Sequence, residues 1–248
     1  MEFNELILKE VISKGILGEK SWDEIDTKYL VINLGISANF EDYLEDTKKE
    51  GSLTFGNLDG VPVSVTTIFP GTLSLEFMLN VIARTKIKYI FGIGAVGALQ
   101  DKVEVGDILL PIQSFRGEGM TDYYAPKNVP AKPDDALYKE LVSKLAMQDV
   151  PYHVGKCFTT SSICTETDEF IEGLVTDNYI GVDSESAALY ILCRHFGIKA
   201  VALLVASDHP AKKLLAVASK AMQNAYGEGL DRASKIVGET IVALEKGK

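Results

Sequence analysis

Lys199-Ala-Val-Ala-Leu-Leu-Val-Ala206 is the most continuously apolar run in the chain. A strand with one wet face alternates apolar and polar residues. A run without alternation is what a strand covered on both faces looks like. Outward from it, strand-like runs lie at Tyr29–Leu34, Pro62–Ile68, Ile87–Ile93, Asp107–Ile112 and Tyr179–Val182. Helix-like patterns lie at Phe40–Lys49, Leu73–Arg84, Ala136–Ala146, Ser184–Phe196 and Lys213–Glu245. This alternation predicts an α/β protein with a mostly parallel sheet and helices on both sides. Gly227 and Gly229 predict a break or kink in the last helix. The Gly-, Pro- and Tyr-rich region Gly117–Pro133 reads as a long loop. With no repeat and no linker, residues 1–248 read as one domain.

The 46% hydrophobic fraction suits a globular core, and the formal net charge of −10 argues against a nucleic-acid surface. Cys157, Cys164 and Cys193 form no CxxC pair, which points to a reducing compartment and not to a disulfide scaffold. No His/Cys spacing suggests a metal site. No apolar run reaches the length that spans a bilayer, and MEFNELILKEVISK has no signal-peptide core. The expectation is a cytoplasmic protein with no membrane or nucleic-acid partner.

Chemistry is expected at three places. Gly92-Ile-Gly94-Ala95-Val-Gly97 reads as a glycine-rich turn after a strand that ends near Ile93, at the sheet end where ligands bind. Taken alone it is as well explained by a plain tight turn. Gly181-Val-Asp183-Ser184-Glu185 runs from a strand into a helix. The helix N-terminus favours ionised carboxylates there, and a carboxylate suits a diol. Asp183 also fits a simple helix cap, whereas capping needs no second acid such as Glu185. In Ser207-Asp208-His209-Pro210, an acid emerges from the most apolar strand. Desolvation there raises its pKa and makes it a candidate proton donor; an N-cap helped by Pro210 is the competing reading. His209 reads as a loop neighbour, and His153 and His195 as structural.

Four motifs in this order, GIGAVGALQDKVEVGDILLP (92–111), RGEGMTDYYAP with VPAKPD (116–134), GVDSESAALY (181–190) and VASDH (205–209), resemble the nucleoside phosphorylase family of purine and uridine phosphorylases and their hydrolase relatives. The resemblance covers roughly Tyr29 to the C-terminus. It implies a three-layer α/β/α fold with a mixed, partly barrel-like central sheet. It also implies a homodimer or homohexamer with the active site near a subunit interface, and no metal or organic cofactor, with phosphate or water as second substrate. By the same resemblance Glu185, with Ser184 beside it, holds the ribose. Asp208 gives N7 of a purine a proton as the glycosidic bond breaks, general acid catalysis worth about 10²–10⁴-fold. Ile163, Asp183 and Ser207 fall around the base.

The chain departs from the family where phosphate binds. The family's PGDP loop and following arginine read Leu34-Gly35-Ile36-Ser37 here. A second arginine is replaced by Gly92, and a hydroxyl residue by Ala95. The GIGG stretch reads Phe69-Pro70-Gly71-Thr72, and the methionine between the two acids is Ser184. Phosphate is therefore expected at Gly35, Gly94 and Ala95 through backbone N–H groups, with Arg116 the better replacement cation and Arg84 the poorer. Arg116 has a competing reading as a loop salt bridge. The uridine enzymes' Phe-Tyr pair is Ile163-Cys164, and their Gln and Arg fall near Thr167 and Glu169. A purine substrate is expected on the strength of Asp208. Hydrolysis, with Glu41 as the nearest acid, uridine phosphorolysis and a non-catalytic nucleoside binder are the alternatives.

Overall fold

The computed structural model describes residues 2–35, 39–148 and 150–247. Among these residues ten strands form the sheet: β1 Tyr29–Leu34, β2 Glu45–Glu50, β3 Leu53–Leu58, β4 Val61–Ile68, β5 Tyr89–Ala98, β6 Ile108–Gly117, β7 Tyr152–Thr160, β8 Tyr179–Asp183, β9 Lys199–His209 and β10 Leu214–Leu215. Their order is β10-β9-β6-β7-β8-β5-β1-β4-β3-β2, and β9 also pairs with β5. That last pairing closes β5, β9, β6, β7 and β8 into a five-stranded barrel, with β1, β4, β3 and β2 running off as an open sheet. The sheet is mixed: β1–β4, β1–β5, β5–β9, β6–β7 and β7–β8 are parallel and the rest antiparallel.

Strand β5 is the hinge between sheet and barrel. Tyr89–Gly94 pairs with β1, whereas Gly97 and Ala98 pair with β8. The glycine-rich motif is thus part of a strand that continues to Ala98, not a turn after a strand ending near Ile93. Its glycines are there for packing. A Cβ on Gly94 would lie 2.7 Å from the Leu34 carbonyl oxygen, and one on Gly97 would lie 3.2 Å from an Asp208 carboxylate oxygen.

Strand β9 is buried on both faces, as its composition predicts. Ala200, Ala202, Leu204 and Ala206 join one core cluster, and Val201, Leu203 and Val205 the other. The first cluster lies under α3 (Thr72–Ile82) and α6 (Ser186–His195). The second lies under α4 (Asp135–Met147) and α7 (Lys220–Lys246). The chain begins with two short α-helices, α1 (Phe3–Ile7) and α2 (Ser13–Leu17), joined by a π-helical turn, and α5 (Asp168–Thr176) covers a small third cluster.

Two further expectations fail. Phe40–Lys49 is not a helix: Phe40–Tyr43 is a 3₁₀ turn and Glu45–Glu50 is β2. Its charged residues EDTKKE suit an exposed edge strand, and pairing with β3 outweighs their helix propensity. The last helix is one uninterrupted element of 27 residues. Gly229 does not break it. It lets the helix lie against the backbone of Gly106, whose oxygen a Cβ at 229 would approach to 2.4 Å. Gly117–Pro133 is a loop as expected, with a 3₁₀ turn at Met120–Tyr123.

Candidate active site

A cavity of about 200 Å³ opens where β1, β5, β8 and β9 end. One end is built by the β8–α6 junction. Asp183, the last residue of β8, is buried, and its Oδ1 accepts from Thr159 Oγ1 at 2.6 Å and from Ser186 N at 3.4 Å. Asp183 therefore does the capping work at α6, although Glu185 occupies the N-cap position. Glu185 makes no cap bond with its side chain. Its Oε1 instead accepts from Gly71 N at 2.6 Å, from the loop that opens α3. Burial and the nearby Asp183 carboxylate push Glu185 up to about 7, against the opposing pull of the Gly71 and Ser184 amides. Burial also raises Asp183. The helix N-terminus does not keep these acids fully ionised, as the motif alone suggested; desolvation wins.

The other end is built by β9 and the turn before α5. The β5–β9 ladder shifts register between Val96 and Gly97, so that Ala206 faces Val96 and Asp208 faces Gly97, leaving Ser207 as the extra residue. A bulge re-aims the side chains beside it. Asp208 lines the cavity and accepts from Ser207 Oγ at 2.5 Å. Burial raises its pKa, with Ser207 and His209 pulling the other way. It is not the cap of the following turn. That role falls to His209, whose ring accepts from Lys212 N while Pro210 takes the first position. His209 is buried, and its Nε2 meets the Gln100 carbonyl.

Of the remaining expected residues, Gly35, Ala95, Ile163, Ser184 and Ser207 line this cavity. Gly94 does not: it sits inside the ladder between Leu34 and Leu204, one residue short of the lining. Arg116 is also elsewhere, and its guanidinium is fully engaged. It donates to Thr121 Oγ1, to the carbonyls of Ala125, Pro126 and Val129, and to Asp122, with only 6% of the side chain exposed. It pins the 117–130 loop. Arg84 pairs with Glu5 and stacks on Trp22. Glu41 accepts from Asn33 Nδ2 and does not line the cavity. Ile36 and Ser37 of the expected phosphate loop lie outside the described residues. His153 pairs with Asp107, and His195 meets the Tyr124 carbonyl.

Glu166 also lines the cavity, and none of the four motifs includes it. It follows a 3₁₀ turn at Ile163–Thr165 and precedes Thr167, which caps α5. Burial and the Asp208 charge push it up to about 7. The only hint in the sequence is an acid next to a helix-capping threonine, a pattern indistinguishable from ordinary capping. Among the described residues the cavity lining thus carries four carboxyl groups, Glu166, Asp183, Glu185 and Asp208, and no lysine, arginine or histidine. Among the described residues no cluster could hold a metal ion, and no helix is long and apolar enough to cross a membrane.

A family model described as the phosphorylase superfamily matches residues 31–242. The guanosine phosphorylase of Halorubrum lacusprofundi is 26% identical over 155 residues, covering 62% of this chain and 64% of that protein. The DeoD-type purine nucleoside phosphorylase of Bacillus subtilis is 29% identical over 157 residues, covering 62% and 66%. The uridine phosphorylase of Thermococcus kodakarensis is 27% identical over 158 residues, covering 58% and 57%. The match to each of these three therefore spans less than two thirds of its length. The crystal structure of uridine phosphorylase from Vibrio fischeri ES114 superimposes with a TM-score of 0.80 at 19% identity, covering 89% of this chain and 94% of that one. Since the family match runs from β1 to the last turns of α7 and takes in every strand of the barrel, the chain belongs to the phosphorylase superfamily.

Proposed function

We propose that this pocket binds a purine nucleoside and that the protein cleaves its N-glycosidic bond, with phosphate as the acceptor and ribose 1-phosphate as product. One observation carries the reading: Glu185, at the start of α6, and Asp208, at the end of β9, line one cavity, with Glu185 tied to Gly71 and Asp208 set beside Gly97. Glu185 receives the ribose hydroxyls, since its carboxylate offers lone pairs beyond the one used by Gly71. As the C1′–N bond breaks, positive charge builds on the ribose and negative charge on the base. Asp208, held toward its protonated form by burial, delivers a proton to N7. The relatives named as guanosine and purine nucleoside phosphorylases support phosphate as acceptor.

Hydrolysis is the second reading, and the lining favours it in one respect. Four acids and no cation make a poor phosphate site, because charge-assisted pairs supply most of the strength of phosphate binding. A phosphate titration of base release separates the two. Phosphorolysis gives a rate that rises and saturates with phosphate and one ribose 1-phosphate per base. A rate that is flat in phosphate, with free ribose formed, overturns the phosphorylase reading.

A further inference from the structure

Glu166 is unlike the other three carboxyls in the pocket. Asp183 is hydrogen-bonded to Thr159 and Ser186, Glu185 to Gly71 and Asp208 to Ser207. The Glu166 carboxylate meets no donor among the described residues; the influences on it are burial and the Asp208 charge. Its place is fixed by its neighbours in the chain. Its own amide donates to the Ile163 carbonyl, and Thr167 caps α5 immediately after it. Lys213, just beyond the Asp208 turn, pairs with Asp168, which holds the start of α5 against that turn. Glu166 and Asp208 therefore line the same small cavity from two segments that this contact holds together. No hydrogen bond joins them, and the Asp208 charge raises the Glu166 pKa.

Two carboxyls in one desolvated site do not both ionise readily, so one proton is retained between them. That proton belongs to the pair and can sit on either carboxyl, so the pair offers one donor and one acceptor, and a base with an acceptor at N7 draws the proton to Asp208. Along the N7 edge, adenine presents an acceptor at N7 and a donor at its 6-amino group, while guanine and hypoxanthine present two acceptors, N7 and O6. A donor beside an acceptor complements the first pattern. It sets a carboxylate against O6 in the second. We infer that Glu166 selects the base: it accepts a hydrogen bond from the exocyclic 6-amino group while Asp208 donates to N7, so that a 6-aminopurine nucleoside is preferred over a 6-oxopurine nucleoside or uridine. This rests on the pocket being a nucleoside site.

The test compares adenosine and inosine in wild type, Glu166→Gln and Glu166→Ala, by kcat/KM and by calorimetric titration with free adenine and hypoxanthine. The glutamine amide can turn its N–H toward O6. The wild-type preference for adenosine is expected to shift toward inosine by about tenfold or more in Glu166→Gln, the worth of one hydrogen bond gained or lost at a desolvated base. Glu166→Ala is expected to flatten the preference without inverting it. A merely structural Glu166 would change both substrates alike. An adenosine-to-inosine ratio that stays within about twofold across the variants, or a wild type that prefers inosine, overturns the inference. If no nucleoside is cleaved, the catalytic reading fails separately, and the free-base titrations still decide: adenine binding no tighter than hypoxanthine overturns the selectivity.

Discussion

The two ends of the pocket are built from the same side chains under different constraints. At the β8–α6 junction, Asp183 and Glu185 stand two residues apart on one rigid turn, both at 6% exposure, and each is held by a group from another element. At the β9 end, Asp208 and Glu166 come from separate segments, both are more open, and only Asp208 is hydrogen-bonded. The difference shows that an acid in a pocket does not by itself mean chemistry. Asp183 commits its Oδ1 to the fold, through Thr159 and Ser186, while its buried Oδ2 has no partner among the described residues. Glu185 and Asp208 keep lone pairs or a proton free for a ligand, and Glu166 keeps all of its hydrogen-bonding capacity.

The largest effect is expected at the β9 end. Asp208→Asn can still donate a hydrogen bond to N7 but cannot transfer a proton. The account expects kcat on a purine nucleoside to fall by about 10²–10⁴-fold with KM little changed. Steady-state kinetics checks this, and a loss confined to KM would remove the general-acid role.

At the junction the largest loss should be of stability. Asp183→Ala strips the Thr159 hydroxyl and the Ser186 amide of their acceptor, at about 1–3 kcal/mol for a buried group left unpaired. Urea denaturation reads it directly. A variant as stable as wild type would mean that Asp183 is not structural.

The same end should show a pH signature. Glu185, raised from 4.5 to about 7, binds its proton more tightly in the folded than in the unfolded chain. Its contribution to stability is therefore greatest below about 4.5 and declines as pH rises toward 7. Glu185→Gln removes that decline. The stability of the variant relative to wild type should grow between pH 4.5 and pH 8, by up to about 3 kcal/mol. A difference that is constant with pH would contradict the raised pKa.

The smallest effect belongs outside the pocket. Arg116→Lys loses the forked contacts to the 117–130 loop, so the loop should become more sensitive to proteolysis. The phosphate concentration at half-maximal rate should stay within about twofold of wild type. A tenfold rise would put Arg116 back in the phosphate site.

Much of this is legible in the sequence. The apolar run at 199–206, the acid after it and the double acid at 183 and 185 all carry their meaning in local sequence, because burial on both faces and a strand-to-helix turn are local signals. Where the chain relies on distant pairing, the signal is absent. The edge strand Glu45–Glu50 has a helix-like composition and becomes a strand only because β3 lies beside it. The closure of the barrel depends on β5 pairing with both β8 and β9, which no local pattern records. Arg116 looked like a free cation because the carbonyls that consume it carry no sequence signature. Glu166 was invisible for the reverse reason: its importance lies in what it does not touch.

The division of labour between the two ends can be tested by one binding experiment on Glu185→Gln. Calorimetric titration with a purine ribonucleoside and with its free base measures the two ends separately. The account predicts that nucleoside affinity falls by about tenfold, the cost of weakening a buried hydrogen-bonding contact, while free-base affinity stays within about twofold of wild type. Equal losses for nucleoside and base, or no loss for either, would contradict the assignment of Glu185 to the sugar and Asp208 to the base.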